Sequence, residues 1–287
     1  MEKDILQTLK NKERKLPRAQ RQLAKYISEN YDKASYMTAA RLAKTVGVSE
    51  ATVIRYAYEL GYPGYPEMRR ALQELVRGRL TSVERIAASR ERLSGENLVS
   101  MVMESDMEKL RSTAAELDGE SFDRAVETLN AARRVYILGM RSSAALASFT
   151  GFYLNYLLDN VTVVSEGTGG EVYEQLLHIG PPDVLLCISF PRYTSDSLRA
   201  ARFAKQRGAR LVTLTDNDAS PFVRESDISL FASSDMVSFV DSLVAPLSLI
   251  NALILAIGVR RRESLEDTFG KLEKLWDEYE VFAAGES

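Results

Sequence analysis

Apolar positions recur with a helical period at the start of the chain: Leu16, Leu23 and Ile27 of "ILQTLKNKERKLPRAQRQLAKYISEN", with Tyr31 just after it, fall on one face. The same period predicts two short helices around Gly47 in "TAARLAKTVGVSEATVIRYAYELGY" and another in "YPEMRRALQELVRGRL". Residues 1–78 thus read as one all-helical unit. Residues 79–95, "RLTSVERIAASRERLSG", are polar and read as a linker. Two amphipathic helices follow within 96–132. The pattern then changes to short apolar, β-branched runs: "RRVYILGM" (133–140), "VTVVSE" (161–166), "DVLLCIS" (183–189), "RLVTLTD" (210–216) and "DISLFAS" (227–233). Helical stretches separate most of them. Continuous apolar strands alternating with helices predict a parallel sheet covered on both faces, a three-layer α/β sandwich of five strands over 96–287.

The stretch 242–259, "SLVAPLSLINALILAIGV", carries no charge over 18 residues, which is the length of a short membrane span. It contains Ser242, Pro246, Ser248 and Asn251 and closes an α/β pattern, so it reads as a buried helix. "SLEDTFGKLEKLWDEYEVFAA" is a terminal helix. The charged start "MEKDILQTLKNKERK" lacks the apolar region of a signal peptide, and the expected location is the cytoplasm.

Charge divides the chain more sharply than its total of −3 suggests. Residues 1–80 hold 16 Lys/Arg and 9 Asp/Glu, a net of +7, which leaves −10 for the rest. A basic end suits a polyanion, and it equally suits a solvated basic face; charge alone does not separate the two. One Cys (Cys187) and one His (His178) exclude a disulfide framework and a Cys/His zinc cluster within one chain. Cys187 lies in an apolar run and reads as core. No metal or cofactor is expected.

The first motif lies in Ala39–Leu60. Gly47 suits the positive φ of a tight turn between two helices, with Val46, Val48 and Val53 placed to fill the wedge. Ser49 is an N-cap residue. This is a helix-turn-helix pattern with Ser49–Leu60 as the recognition helix. Glu50, Ala51, Thr52 and Arg55 lie in its N-terminal half, where base edges are met; Ser49 and Thr52 suit phosphates or bases, and Arg55 suits guanine or phosphate. Arg41 and Lys44 on the preceding helix suit backbone phosphates. Tyr56 suits contact or packing equally.

"VGVSEATVIRYAYELGYPGYPEMRRAL" resembles the amino-terminal domain of RpiR-type (RpiR/MurR) bacterial transcriptional regulators. That family has a Ser-x-x-Thr-hydrophobic-x-Arg recognition helix, matched by Ser49, Thr52, Val53 and Arg55. A Leu-Gly-aromatic-x-Gly-aromatic turn follows, matched by Leu60-Gly61-Tyr62-Pro63-Gly64-Tyr65. The resemblance covers nearly the whole chain, because such regulators next carry a SIS (sugar isomerase) domain. It implies a flavodoxin-like sheet that binds phosphosugars at the C-terminal ends of its strands.

Two loops carry that second resemblance. "ILGMRSSAALA" is similar to the Gly-x-Gly-x-Ser-x-x-x-Ala pattern at Gly139, Ser143 and Ala147, with Arg141 in place of the second glycine. "SFPRYT" is similar to Ser-x-Ser-Gly-x-Thr at Ser189 and Thr194, with Pro191 and Arg192 in place of serine and glycine. Each loop has exchanged a glycine for an arginine, which recognises phosphate or carboxylate in a bidentate way. The expected effector set is Gly139, Arg141, Ser142, Ser143, Ser189, Arg192, Thr194 and Glu171. Ser142 and Ser143 also suit simple capping. Either arginine also suits pairing with a nearby carboxylate that fills the pocket. Glu171, near Glu166 and Glu174, suits a sugar hydroxyl, a base, or a helix-start charge. "TLTDNDASPF" reads as a turn with a short helix from Ser220.

The reading that joins these is a DNA-binding regulator that senses a phosphorylated sugar or related anion and controls carbohydrate-metabolism genes. It would bind its operator as a homodimer or tetramer, away from any membrane, with 242–259 and the helices of 96–132 as dimer surfaces. The alternatives are a phosphosugar isomerase and a ligand-free DNA-binding protein.

Overall fold

The computed structural model describes residues 16–35, 37–69, 71–72, 86, 97–165, 167, 170–234 and 240–282. The chain divides into two compact units, Met1–Leu98 and Val99–Ser287. The linker read at 79–95 lies outside the described residues except for Ile86.

The first unit is helical throughout its described parts. It holds α1 (Arg18–Glu29), α2 (Tyr31–Ala34), α3 (Ala39–Val46) and α4 (Glu50–Leu60), with a further helical stretch from Tyr65. The expected single periodic helix through Tyr31 is in fact broken. Pro17 precedes α1 without helical ψ, and Asn30 ends it by donating both its backbone N–H and its side-chain amide to Tyr26 O. The predicted face survives the break. Leu16, Leu23 and Ile27 are buried with Leu42, Val53, Tyr56, Leu60 and Met68, and Tyr31, Val46 and Val48 pack against that core.

In the second unit α5 (Leu98–Glu116) and α6 (Gly119–Asn130) lead into β1 (Arg134–Gly139). Then come α7 (Ser142–Leu157), β2 (Val161–Val164), α8 (Glu171–Gln175), β3 (Asp183–Ile188), α9 (Ser195–Gln206), β4 (Arg210–Thr215), β5 (Ile228–Phe231), α10 (Val244–Arg260) and α11 (Arg262–Glu278). The sheet order is β2-β1-β3-β4-β5, and every pair is parallel. Alternate strand residues serve opposite faces. Val135, Ile137, Val184, Leu186 and Ile188 join α6, α7 and α10 in one core layer. Tyr136, Leu138, Leu185 and Cys187 join α8 and α9 in the other. Both faces are buried, so the strands read as unbroken apolar runs.

Two segments depart from expectation. β2 stops at Val164, because Ser165 turns away and its N–H and hydroxyl both meet Gln175 Oε1, at 2.9 and 3.0 Å. Ser220 begins overlapping turns in place of a helix, with Val223 N–H bonding Ser220 O and Glu225 N–H bonding Phe222 O. Among the described residues no single helix is long and apolar enough to cross a membrane. The pair α10 and α11 bends by 100°. The uncharged stretch is a core helix: Ala245, Pro246, Leu249, Ile250, Leu253 and Ile257 are buried.

Candidate functional site

Two surfaces have the chemistry of function, one in each unit. In the first, α3 ends and α4 begins across a three-residue turn. Gly47 has φ 79°, and the N–H groups of Gly47 and Val48 both donate to Ala43 O at 2.9 Å. Only glycine takes that φ without steric cost. Ser49 then caps α4: its hydroxyl accepts from Thr52 N–H at 3.2 Å and lies 2.8 Å from the Thr52 hydroxyl. At the far end Gly61, φ 93°, terminates α4 by donating to Ala57 O and Tyr58 O. The Tyr65 hydroxyl donates to Met37 O at 2.8 Å and ties the next helix down. Burial raises its phenol to about 12.

The outward face of α4 follows from its period. Ala51, Ile54, Arg55 and Tyr58 stand at i, i+3, i+4 and i+7, and all are exposed, with Glu50 and Glu59 beside them. Ser49, Arg41 and Lys44 are exposed as well. Thr52 is not on this face. It is buried, and its hydroxyl is engaged by Ser49, so it belongs to the cap. Tyr56 is fully buried and belongs to the core. Tyr58, at 57 % exposure, and Ile54 were absent from the motif reading. Extending the 3.6-residue period from Ala51 would have found both.

In the second unit the two loops identified from sequence leave neighbouring strands. Gly139 at the end of β1 is in register with Ile188 at the end of β3. From there the chain parts: β1 leads to α7 on one face of the sheet, and β3 leads to α9 on the other. A crevice opens where such a reversal of strand order occurs, outside the carboxyl ends of the strands. The loops touch at its root, where the Thr194 hydroxyl lies 3.5 Å from Met140 Sδ.

Each loop ends in a helix N-terminus. Gly139 admits α7 closely: a Cβ there would press into the Ser143 carbonyl and lie 2.9 Å from Ala147 Cβ. Ser143 is buried beneath the first turn, and Ser142 is exposed with its hydroxyl donating to Asp241 at 3.3 Å. On the other side Thr194 caps α9, accepting from Ser197 N–H at 3.2 Å with its hydroxyl 2.7 Å from that of Ser197. Ser189 is buried, its N–H given to Leu214 O. The dipoles of α7 and α9 favour an anion at these N-terminal ends.

Arg141 and Arg192 hold positive φ, 56° and 68°. They stand where the resembled loops have glycine, and they keep the backbone that glycine permits. Both side chains are exposed at the crevice. A non-glycine residue held at such a φ costs about 1–3 kcal/mol. Behind Arg192, the Tyr193 hydroxyl donates to Asp216 Oδ1 at 2.5 Å. Thr215 and Asn217 donate to the same carboxylate. Burial and the adjacent Asp216 charge push the Tyr193 phenol upward, so it stays a donor. This bond fixes the loop that presents Arg192 to the end of β4. Glu171 is exposed at the start of α8, with its side chain folded over Gly167 beyond the end of β2. Glu166 lies outside the described residues.

A cavity of about 810 Å³ lies at the opposite edge of the sheet, among strand starts, lined by Arg124, Glu127, Asp183, Arg210 and Asp227. Its two aspartates are already committed. Asp183 is held by Arg133 in a fork at 2.9 and 2.8 Å, and Asp227 by Lys205 and by Leu211 N–H. Position and pairing make it structural, whatever its size. His178 is exposed on the turn that enters β3, at that same far edge. Cys187 is fully buried, and burial pushes its thiol upward, away from nucleophile chemistry.

Comparison with known proteins extends both surfaces. Residues 3–77 match a helix-turn-helix domain, rpiR family, and residues 128–256 match the SIS domain. The chain is 28% identical over 269 residues to the HTH-type transcriptional regulator HexR of Pseudomonas aeruginosa, covering 90% of each chain. It is similar to the sugar isomerase domain of an RpiR transcription factor from Sphaerobacter thermophilus, with 32% identity and a TM-score of 0.60. That match covers 62% of this chain and 99% of the other. The fold of Vibrio vulnificus NanR, solved in complex with ManNAc-6P, matches over 98% of this chain and 100% of that one, with 22% identity and a TM-score of 0.59.

Proposed function

Because the chain belongs to the rpiR family of helix-turn-helix transcriptional regulators with a SIS domain, we propose that its crevice between the ends of β1 and β3 binds a phosphorylated sugar or related anion, and that occupancy changes the affinity of α4 for an operator controlling carbohydrate-metabolism genes. The observation that carries the sensing role is the pair of arginines, Arg141 and Arg192, kept at positive φ in the two loops of one crevice. Glycine would take that conformation without strain. An arginine there adds a bidentate contact for an anion to two helix N-termini. The ManNAc-6P bound by Vibrio vulnificus NanR is a ligand of this class on the same fold.

On the DNA side, Arg55 and Glu50 meet base edges, Ala51, Ile54 and Tyr58 supply the apolar part of that face, and Ser49, Arg41 and Lys44 meet phosphates. A two-fold operator calls for paired chains. The partner is a second copy, seated on apolar side chains exposed along α7 (Phe152, Tyr153) and α10 (Leu255, Val259). An isomerase would need a base within reach of its substrate, and His178 stands at the far edge of the sheet.

The test is a thermal-shift screen of the full chain against sugar phosphates, sugar acids and unphosphorylated sugars. A ligand that binds only the native state raises the melting temperature. The expected result is stabilisation by one or more phosphosugars or sugar acids and none by neutral sugars. Stabilisation by none of the anions would contradict the reading.

A further inference from the structure

The mouth of the crevice already holds a carboxylate. Asp241 accepts a hydrogen bond from the hydroxyl of Ser142, the first residue of α7, at 3.3 Å. Its position at the N-terminal end of a 16-residue helix is one that favours negative charge.

The next residue ties this carboxylate to another element. The Ser242 hydroxyl donates to Asp106 Oδ1 on α5 at 2.6 Å. Two turns further along α5 the Thr113 hydroxyl accepts from Ser233 N–H at 2.9 Å. Helix α5 therefore clasps Ser233 and Ser242, at the two ends of the connection from β5 to α10. Between the two clasps lies Lys109, buried at 4 % exposure. It donates to the Ser105 hydroxyl at 2.6 Å and stands 3.5 Å from Asp106. This ammonium holds the Asp106 carboxylate in place beneath Ser242. The chain passes from the first unit, which ends at Leu98, directly into α5.

We propose that Asp241 is an internal stand-in for the effector's anionic group, and that its displacement transmits occupancy to α5 through the Ser242–Asp106 bond. The proposal rests on the crevice being the effector site. Without effector, Asp241 occupies the N-terminal end of α7. An incoming phosphate takes that end with Arg141, and two anions do not share one helix terminus. Asp241 leaves, Ser242 moves with it, and the clasp on α5 loosens. Effector affinity and the state of α5 are thereby coupled, each set by the other.

Inorganic phosphate is the probe, titrated calorimetrically into the full chain at constant ionic strength. Asp241→Asn keeps the shape and removes the charge. It is expected to bind phosphate about tenfold tighter than wild type, while Asp241→Glu stays within about threefold of it, a coupling of ordinary allosteric size. Equal or weaker binding by Asp241→Asn, with wild type binding phosphate, overturns the proposal and leaves the effector reading standing. No binding of phosphate by either chain overturns the proposal, and the effector reading is then decided by the sugar-phosphate and sugar-acid screen. Hydrogen exchange of α5 provides the second readout. Saturating phosphate is expected to speed exchange at residues 105–110 in wild type. In Asp106→Asn exchange there is expected to be already fast and indifferent to phosphate. Unchanged protection of α5 in wild type on saturation overturns the transmission step.

Discussion

The two units place different residues at positive φ. Among the described residues of the first unit, positive φ occurs at Gly47 and Gly61, and both serve helix ends. In the second unit it occurs at Gly208 on a surface turn, at Glu280 near the end, and at Arg141 and Arg192 in the two crevice loops. At the two helix ends and the Gly208 turn glycine takes that φ, and at Glu280 it does not. In the two crevice loops arginine takes it, at a cost of about 1–3 kcal/mol each. The capping geometry, by contrast, is shared. Ser49 with Thr52 and Thr194 with Ser197 use the same hydroxyl-to-N–H bond at 3.2 Å and the same hydroxyl pair, 2.8 and 2.7 Å apart. What separates the surfaces is the residue placed at the strained position.

Six variants sharpen or break that contrast. The largest effect is expected from Gly139→Ala. Its Cβ meets the backbone of Ser143, which cannot yield without moving α7, so the second unit loses about 3 kcal/mol in urea denaturation. A loss under about 1 kcal/mol would mean that the close approach of α7 is not required. Arg55→Ala comes next. It is expected to weaken binding to a selected operator by about 2 kcal/mol in gel shift, while leaving the melting temperature unchanged, because the residue is exposed on α4.

Arg192→Gly tests the contrast itself. Relief of positive φ and the added freedom of the unfolded chain nearly cancel, so stability stays within about 0.5 kcal/mol. Anion affinity is expected to fall about tenfold, or ~1.4 kcal/mol. Gly47→Ala runs the exchange in the other direction. There is open space around its Cβ position, so the loss of about 1 kcal/mol comes from φ alone. The smallest expected effect is in the shared caps. Ser49→Ala and Thr194→Ala should each cost about 1 kcal/mol, measured in their own units, and an inequality beyond about threefold would deny that the caps are equivalent.

The sequence made most of the fold legible because the fold is made of strong periods. Strands buried on both faces leave unbroken apolar runs, and all five predicted runs are strands. The turn glycines and Ser49 were legible because few residues do those jobs. Errors fell where a local signal met a longer-range one. The period through Tyr31 is real as a buried face but is broken at Asn30 as a helix. Ser220-Pro221 looks like a helix start, yet the Ser220 hydroxyl is drawn under Thr215 and only turns form. Thr52 matched the recognition motif while its hydroxyl serves the cap. Asp241 and Asp106 carried no signal at all. They meet Ser142 and Ser242 across 99 and 136 residues of chain, and periodicity is silent about such pairs.

The account turns on the crevice binding an anion through its two arginines. The most direct measurement is calorimetric titration, with whichever sugar phosphate gives the largest thermal shift, of wild type and of the Arg141→Gly/Arg192→Gly double variant. The account predicts saturable binding to wild type, at least about a hundredfold weaker binding to the double variant at equal stability, from two losses of about tenfold each. Equal affinity in the two chains would contradict it.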